Sequence, residues 1–353
     1  MSATTRASDE EVLPGVSGAA LSAYLAKQLS APGPLAFESV KLAGQGMSDD
    51  TILIEAIDGA AQRRSLAIRR YRREGIMREL VDPERHYRTL VALGKTRIPA
   101  PRALFFDPNC ELLDGACFAM ERVAGHVPIP WSPEGRAFLA SHSTGRISEQ
   151  FVANLVELHA LDWRALDFPD PVAADADPRE RNVALVAIAE TMFRDYRSGP
   201  EPILADALGW LRENVPQGSE TVIVHGDYRT GNLVFRDDQI AAILDWEFSL
   251  LGDPMRDVAW VLASSNRIDC ALASYLIDPE RFVRMYEAQS GRRVDWPAVR
   301  FWQLYYQVFN AVGWMHAEHR IRTGATRDLR MLRWSYTLPV MRSLVADAMR
   351  GVV

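Results

Sequence analysis

The chain has 353 residues, 48% of them hydrophobic, which is enough for two lobes that each bury a core. Its net charge of -6 gives no broad basic surface, so the sequence argues against a nucleic-acid partner. The three cysteines, Cys110, Cys117 and Cys270, contain no CxxC pair and predict neither a disulfide framework nor a zinc site.

The first residues, MSATTRASDEEVLPG, are polar and acidic where a signal peptide would be basic and then apolar. No later apolar run is long enough to span a bilayer, so we expect a cytoplasmic protein with no membrane partner. Gly18 to Leu29 predict a short helix that ends before the turn residues of Pro32 to Pro34. This helix belongs to a leader over residues 1-35.

Residues 36-123 are predicted to form a small lobe of strands with one helix. Strand-like runs occur in SVKLA, TILIEAI, RSLAIRRY and CFAMERV. Between the last two, a helix is predicted whose apolar stripe stops at Gly94 and consists of Tyr87, Leu90, Val91 and Leu93.

Residues 124-353 are predicted to form a larger and mostly helical lobe. In ISEQFVANLVELHAL, one apolar face at helical spacing consists of Ile147, Phe151, Leu155 and Leu158. The segments VALVAIAETMF and ILADALGWLREN predict further helices. A hairpin with polar residues at its ends interrupts this helical run.

The hairpin contains HGDYRTGNLVF, from His225 to Phe235, and AAILDWEFSLLGDP, from Ala241 to Pro254. Asp227 and Asn232 lie in one tight loop, and Asp245 follows the apolar run AAIL, so the three side chains can converge. Carboxylate and amide oxygens suit Mg²⁺, and a carboxylate can orient an attacking hydroxyl. The alternative is that these residues only form turns, as each alone often does.

Other residues of this segment are given supporting roles. Gly231 is expected to ease the turn through its conformational freedom, and His225 to hold the loop backbone by hydrogen bonds. Asp253 and Asp257 are expected to fix their segment through hydrogen bonds or an arginine pair. Two roles stay open for Arg229: a contact with substrate or phosphate, or simple exposure to solvent.

HGDYRTGNLVF and ILDWEFSLLGDPMRDVAW resemble the catalytic and metal loops of the aminoglycoside phosphotransferase family, the small-molecule branch of the protein-kinase-like fold. The resemblance implies an α+β, bilobal fold, in which a small N-terminal lobe has an antiparallel sheet and one helix and a larger C-terminal lobe is mostly helical. It implies that Asp227 is catalytic and that Asn232 and Asp245 hold Mg²⁺. The resemblance assigns nucleotide binding to residues 36-123, and the catalytic loop and acceptor-binding helices to residues 124-353.

The resemblance continues through the small lobe. KLAGQGMSDDTILIEA resembles a glycine-containing turn in which Ser48 either contacts a phosphate or only shapes the turn. In RSLAIRRY, Arg69 takes the place of the usual phosphate-binding lysine, as in the acyl-CoA-dehydrogenase-associated branch, and a guanidinium can bind phosphate oxygens. His86 takes the place of the glutamate that normally pairs with this cation. In CFAMERVAGH, backbone groups of three hinge residues are implied to contact adenine, namely Glu121, Arg122 and Val123.

The implied activity is direct transfer of the terminal phosphoryl group of ATP, or of GTP, to an alcohol by a monomer or homodimer. The C-terminal stretch carries five arginines (Arg320, Arg322, Arg327, Arg330 and Arg333) against Glu318 and Asp328, which favours an anionic acceptor over an aminoglycoside. Aromatic residues of FWQLYYQVFNAVGWM are mostly expected in the core, with one or two lining a pocket for a hydroxyacyl-type metabolite. Three alternatives stay open: a nucleotide-binding pseudokinase, an aminoglycoside or macrolide kinase, and a metallohydrolase using His225, Asp227 and Asp245.

Overall fold

The computed structural model describes residues 10–43, 50–71, 81–173 and 175–352. The chain divides into two compact units, residues 1–124 and 125–353. Ser48 and the glycine-containing turn lie outside the described residues, so their predicted role is not addressed by the structure. Within the described ranges, no helix combines the length and the apolar character needed to cross a membrane.

The N-terminal unit begins with a short hairpin and a helix, β1 (Glu11–Leu13), β2 (Val16–Ser17) and α1 (Gly18–Gln28). The predicted leader helix is confirmed, and it starts where the hydroxyl of Ser17 accepts a hydrogen bond from the Ala20 N–H at 3.2 Å. Leu21 and Leu25 are fully buried in the hydrophobic core that the following strands share. The helix α1 therefore packs as part of this unit.

The centre of the unit is an antiparallel sheet of five strands in the order β3-β4-β5-β7-β6. These strands are β3 (Ala36–Leu42), β4 (Asp50–Ile57), β5 (Arg63–Arg70), β6 (Ala103–Cys110) and β7 (Gly115–Glu121). In β4, buried residues alternate with partly exposed ones, as expected for a sheet with one face on the core. The helix α2 (Pro83–Leu93) lies between β5 and β6 in the chain.

The buried face of α2 differs from the predicted stripe at one position. Leu90 and Leu93 are buried as predicted, but Val91 is 40% exposed. His86 and Thr89 are buried instead, because on a helix they lie on the same side as Leu90 and Leu93, whereas Val91 is turned about 100° from Leu90. The buried face of α2 therefore includes the polar residues His86 and Thr89 and leaves out Val91.

The C-terminal unit is mostly helical, as predicted. Its eight helices within the described residues are α3 (Pro133–Ser141), α4 (Arg146–Ala160), α5 (Pro178–Tyr196), α6 (Pro202–Glu213), α7 (Met255–Leu262), α8 (Pro279–Ser290), α9 (Trp296–Arg322) and α10 (Arg330–Val352). The predicted apolar face of α4 is confirmed, because its four members are at most 2% exposed.

Four short strands interrupt these helices, namely β8 (Val222–Val224), β9 (Leu233–Arg236), β10 (Gln239–Ile243) and β11 (Leu250–Gly252). The predicted hairpin is β9 paired with β10, and β8 pairs with β11. All of these pairings are antiparallel. The polar residues of the sequence motif therefore lie in the segments between β8 and β9 and between β10 and β11.

Candidate active site

Asp227 lies just after β8, and its carboxylate accepts hydrogen bonds from three side chains. Oδ1 accepts from Arg229 Nε at 2.9 Å and from Trp260 Nε1 at 2.5 Å. Oδ2 accepts from Asn232 Nδ2 at 2.6 Å. The Asp227 side chain is 16% exposed, so this carboxylate is held in one orientation while keeping some access to solvent.

Asn232 ends the 3₁₀ turn Thr230–Asn232 that leads into β9. Its amide nitrogen also donates to the main-chain carbonyl of Asp227 at 2.9 Å, so the loop between the two residues closes on itself. The structure thus brings Asp227 and Asn232 together, as their five-residue spacing predicted. Because Nδ2 makes both bonds, Asn232 Oδ1 is left as an acceptor, and no donor of the described residues reaches it.

Asp245 follows β10 in a left-handed backbone conformation, with φ 66° and ψ 52°, and precedes the 3₁₀ turn Trp246–Phe248. The residue before it, Leu244, donates its N–H to the Asn232 carbonyl at 2.8 Å, which fixes this segment against the loop of Asp227 and Asn232. Burial alone would lower the pKa of Arg229, but the charges of Asp227 and Asp245 raise it overall. Asp245 therefore lies within electrostatic reach of the group that holds Asp227.

His225 holds the loop backbone, as predicted. Its Nδ1 accepts the Asp227 N–H at 3.1 Å, and its Nε2 therefore donates to the Leu244 carbonyl at 2.9 Å. Burial lowers the pKa of His225, against the opposing charges of Asp257 and Asp227, so the ring is neutral at physiological pH.

The arrangement of His225 bears on the metallohydrolase alternative. Both ring nitrogens are engaged by the backbone, so neither can ligate a metal without breaking a bond inside the loop. Among the described residues, no three His, Cys, Asp or Glu side chains are grouped as metal ligands would be. The geometry disfavours a transition-metal site built on His225.

Asp257, in α7, anchors the start of the loop that carries Asp227 and Asn232. Its Oδ2 accepts the His225 N–H at 2.8 Å and its Oδ1 accepts the Gly226 N–H at 2.9 Å. Oδ2 also receives a hydrogen bond from His159 Nε2 at 3.2 Å. The prediction that Asp257 fixes its segment through hydrogen bonds is confirmed, and the segment it fixes is the one that carries Asp227.

The two glycines of the loop serve different purposes. Gly226 has φ +85°, a conformation that favours glycine, and a Cβ there would lie 2.6 Å from the Phe248 carbonyl oxygen. Gly231 is not in the left-handed region, so the prediction that it supplies turn freedom is wrong. A Cβ on Gly231 would instead collide with the guanidinium of Arg229, so glycine leaves space for that side chain.

Two contacts of Asp227 were not foreseen. Arg229 is 24% exposed and forms an ion pair with Asp227. Trp260 was visible in the motif MRDVAW but had no assigned role, since nothing in an aromatic residue of an apolar helix indicates a hydrogen bond to a distant loop. Tyr306 of α9 packs on Trp260 with ring centroids 4.6 Å apart, which fixes the indole.

The predicted nucleotide contacts lie in the N-terminal unit. Arg69 is on β5 opposite Thr51 and Phe118 in the sheet. His86 is 5% exposed, and its Nδ1 forms a 2.6 Å hydrogen bond with the hydroxyl of Tyr71, two residues after Arg69. The position at which the family has a glutamate thus carries a buried ring that pairs with a tyrosine. Phosphate binding by Arg69 stays a prediction.

The backbone of the predicted hinge is partly engaged. The Glu121 N–H donates to the Arg102 carbonyl at 2.9 Å, and the Arg122 N–H donates to the Ser65 carbonyl at 3.0 Å. Within the described residues, the Val123 N–H donates to no acceptor. Of the three hinge N–H groups, that of Val123 is the one open to a ligand.

The aromatic residues of α9 are mainly core, as expected. Phe301, Trp302 and Tyr305 are at most 2% exposed. Trp302 donates its indole N–H to Asp253 Oδ2 at 3.1 Å, and Asp253 Oδ1 accepts the Met255 N–H at 2.8 Å. The predicted structural role of Asp253 is thereby confirmed.

The residues of the C-terminal unit fit a Mg²⁺ ion by the chemistry of their donor atoms. Asn232 offers its amide oxygen, and Asp245 offers a carboxylate from the segment fixed to Asn232 by Leu244. Hard oxygen donors of this kind are those that Mg²⁺ prefers.

The chain is similar to known proteins over most of its length. The family model described as the phosphotransferase enzyme family, APH, matches residues 39–302, which is more than half of the chain. Among curated proteins, IBR3 of Arabidopsis thaliana, assigned as an acyl-CoA dehydrogenase, is 27% identical over 290 residues, which is 74% of this chain and 33% of that protein. Acyl-CoA dehydrogenase family member 10 of Mus musculus is 26% identical over 259 residues, covering 72% of this chain and 22% of that protein. The chain therefore spans between about a fifth and a third of the length of these relatives.

Solved structures show the same fold. A proposed aminoglycoside phosphotransferase from Ralstonia eutropha matches with a TM-score of 0.67 and 20% identity, covering 94% of this chain and 97% of that one. The GDP complex of aminoglycoside 2'-phosphotransferase-IIIa matches with a TM-score of 0.58 and 14% identity, over 92% and 97% of the two chains. Macrolide 2'-phosphotransferase type I matches with a TM-score of 0.56 and 17% identity, over 92% and 99%.

These matches confirm the predicted α+β, protein-kinase-like fold, with its antiparallel sheet in the N-terminal unit and its mostly helical C-terminal unit. The family match includes the loop of Asp227 and Asn232, the segment of Asp245 and the strands β4 to β7 of the N-terminal unit. The chain belongs to the phosphotransferase enzyme family APH, a family of small-molecule kinases.

Proposed function

We propose that this protein transfers the terminal phosphoryl group of ATP or GTP directly to the hydroxyl of a small molecule, in a Mg²⁺-dependent reaction. The observation that carries the proposal is the hydrogen-bonded pair of Asp227 and Asn232, with Asp245 fixed to the same loop through Leu244. In addition, one solved structure of the same fold is a GDP complex.

In this mechanism Asp227 is the catalytic residue, because its oriented carboxylate can accept or direct the proton of the attacking hydroxyl. Asn232 and Asp245 are proposed to hold Mg²⁺, which when bound neutralises charge on the nucleotide phosphates. Arg69 is proposed to bind phosphate oxygens. The Val123 N–H is proposed to contact adenine, together with the carbonyls of the hinge residues Glu121 and Arg122.

The acceptor is proposed to be a hydroxylated metabolite, such as a hydroxyacyl compound. The relatives assigned to the acyl-CoA dehydrogenase family support this proposal, because such proteins are named for acyl thioester chemistry. An aminoglycoside or macrolide acceptor, the compounds named for the structural neighbours, is the competing assignment.

The test is a library screen of hydroxylated metabolites for acceptor-dependent ADP release, repeated with Asp227→Asn and Asp245→Asn. We expect both variants to lose about 100-fold or more in kcat. Asp245→Asn should also raise the Mg²⁺ concentration needed for half-maximal rate. Asp237→Asn is the matched control, since Asp237 is exposed in the β9–β10 turn and should leave the rate unchanged.

The pattern of results separates the alternatives. Nucleotide binding with no acceptor-dependent turnover across the library would identify a pseudokinase and contradict the proposal. Equal rates for wild type, Asp227→Asn and Asp245→Asn would remove the catalytic assignment.

A further inference from the structure

A cavity of about 270 Å³ opens in the C-terminal unit beside the catalytic loop. Its lining includes Pro130, Trp131, Arg136, Arg229, Ile268 and Tyr275. Trp131 and Ile268 are 57% and 52% exposed, so the cavity offers apolar surface to a ligand.

The charged side chains among the described lining residues are all positive. Among the described residues that line the cavity, two are arginines and none is aspartate or glutamate. Arg229 is neutralised by its ion pair with Asp227. Arg136 forms no ion pair with a carboxylate of the described residues, so it is the uncompensated charge of the cavity.

The guanidinium of Arg136 is positioned by neutral groups. Its Nε donates to the Pro130 carbonyl at 3.2 Å, and its Nη2 donates to the Ile268 carbonyl at 3.4 Å. It also lies over the Tyr275 ring, 5.4 Å from the centroid. These contacts orient the group without neutralising it, and they leave the Nη1 N–H groups to donate to an anion.

The cavity is connected to the catalytic loop by specific bonds. Thr230 lines it and donates its hydroxyl to the Ser274 carbonyl at 2.7 Å. Ser274 and Tyr275 have φ of 47° and 61°, values that non-glycine residues rarely adopt and that often occur at ligand sites. On another wall, Arg229 reaches from the cavity to Asp227. Asp227 itself does not line the cavity, so a molecule there would be separated by one side chain, Arg229, from the group proposed to receive the hydroxyl proton.

We propose that this cavity binds the phosphoryl acceptor through an oxyanion group, a carboxylate or a phosphate, that pairs with Arg136. The proposal rests on the proposed kinase function and specifies the acceptor class: a small hydroxylated anion with an apolar part against Trp131 and Ile268. A polycationic aminoglycoside would meet no carboxylate among the described lining residues. The C-terminal arginines from which the sequence argued for an anion, among them Arg320, Arg322, Arg327 and Arg333, do not line this cavity.

The experiment compares matched alcohols that differ in charge. Hydroxyhexanoates, hexanediols and aminohexanols share a chain length, glycerol phosphate supplies the phosphate arm, and an aminoglycoside supplies the polycation. Binding is measured by ligand-observed NMR, and phosphoryl transfer is measured separately by phosphorus NMR of the products. Both are repeated with Arg136→Gln, with Arg136→Lys and with Arg322→Gln, an exposed arginine outside the cavity that serves as the matched control.

We expect the anionic alcohols to bind and to be phosphorylated, with hydroxyhexanoates or glycerol phosphate preferred according to which oxyanion fits. Arg136→Gln should weaken their binding and raise the acceptor KM at least about tenfold, because a charged hydrogen bond is lost. Arg136→Lys should recover part of that loss, and Arg322→Gln should match wild type. Unchanged thermal unfolding of Arg136→Gln would show that the effect is not a loss of folding.

Two outcomes overturn the inference: neutral or cationic alcohols that bind as well as the anions, and anion binding that does not respond to Arg136→Gln. The failure of this inference can be distinguished from the failure of the proposed kinase function. Transfer to an aminohexanol or aminoglycoside, unaffected by Arg136→Gln, would keep the kinase and remove the anion site. Anion binding that depends on Arg136, without any transfer, would keep the site and remove the kinase.

Discussion

Trp260 donates its indole N–H to Oδ1 of Asp227 at 2.5 Å, from helix α7 to the catalytic loop. Trp260 is 8% exposed and packs on Tyr306, so the donor is held by the core of the unit. Together with Asn232 and Arg229, it fixes the plane of the carboxylate that we propose to orient the acceptor. The orientation of the Asp227 carboxylate thus depends on a helix distant in sequence.

We expect Trp260→Phe to lower kcat by about 3- to 30-fold, because one hydrogen bond to the Asp227 carboxylate is lost while the aromatic packing is largely kept. The KM for nucleotide should stay close to wild type. Steady-state ADP release at saturating acceptor measures the effect. Trp163→Phe is the control, since Trp163 donates its indole N–H to the Thr221 carbonyl and not to the catalytic loop. An equal loss of kcat in both variants would refute the positioning role.

We expect Asp257→Asn to reduce the free energy of unfolding by about 2–4 kcal/mol and to lower kcat. The two carboxylate oxygens of Asp257 accept separate N–H groups of His225 and Gly226, whereas an amide can accept only one of them. Denaturant unfolding measures the change. Asp278→Asn is the control, since Asp278 is a helix cap at which asparagine performs equally well. A stability of Asp257→Asn within error of wild type would show that the loop does not depend on this anchor.

We expect Gly231→Ala to displace the Arg229 guanidinium and to destabilise the protein by about 1–3 kcal/mol, because the added methyl group would occupy its space. The ion pair with Asp227 should weaken, and the kinetic parameters for the acceptor should change. Gly209→Ala is the opposite case, since its Cβ would meet nothing within 4 Å in helix α6 and should stabilise by about 0.5–1 kcal/mol. Thermal unfolding of the two variants should therefore shift in opposite directions.

We expect the free energy of unfolding to decrease as the pH falls below about 6.5, in part through His225. Burial lowers the pKa of this histidine in the folded protein, so its contribution is complete above the unfolded pKa and is lost towards acid. Stability should therefore depend less on pH in His225→Gln between about pH 7 and about pH 5. Parallel slopes in the wild type and His225→Gln would mean that His225 is not held neutral.

Much of the fold follows from local sequence patterns. The helix α4 was predicted from four apolar positions, and all four are buried, because helical periodicity alone determines which face meets the core. The prediction for Val91 was wrong since periodicity cannot tell which of two adjacent apolar residues turns inward. The helix that contains Val91 also contains His86, which is buried and hydrogen-bonded to Tyr71. Helical periodicity cannot predict this contact, because Tyr71 lies outside the helix.

The sequence by itself determined the identity and spacing of the chemical groups at the site: a tight loop that holds Asp227 close to Asn232, and a strand end that presents Asp245. Such features depend on covalent distance and on the preferences of single residues. Only the tertiary structure decided what surrounds them. Trp260 and Asp257 reach the loop from α7, and the cavity at Arg136 is assembled from chain segments far apart in sequence. The reason is physical: packing, not sequence order, sets which distant donors meet a carboxylate and which cation is left without a counter-charge.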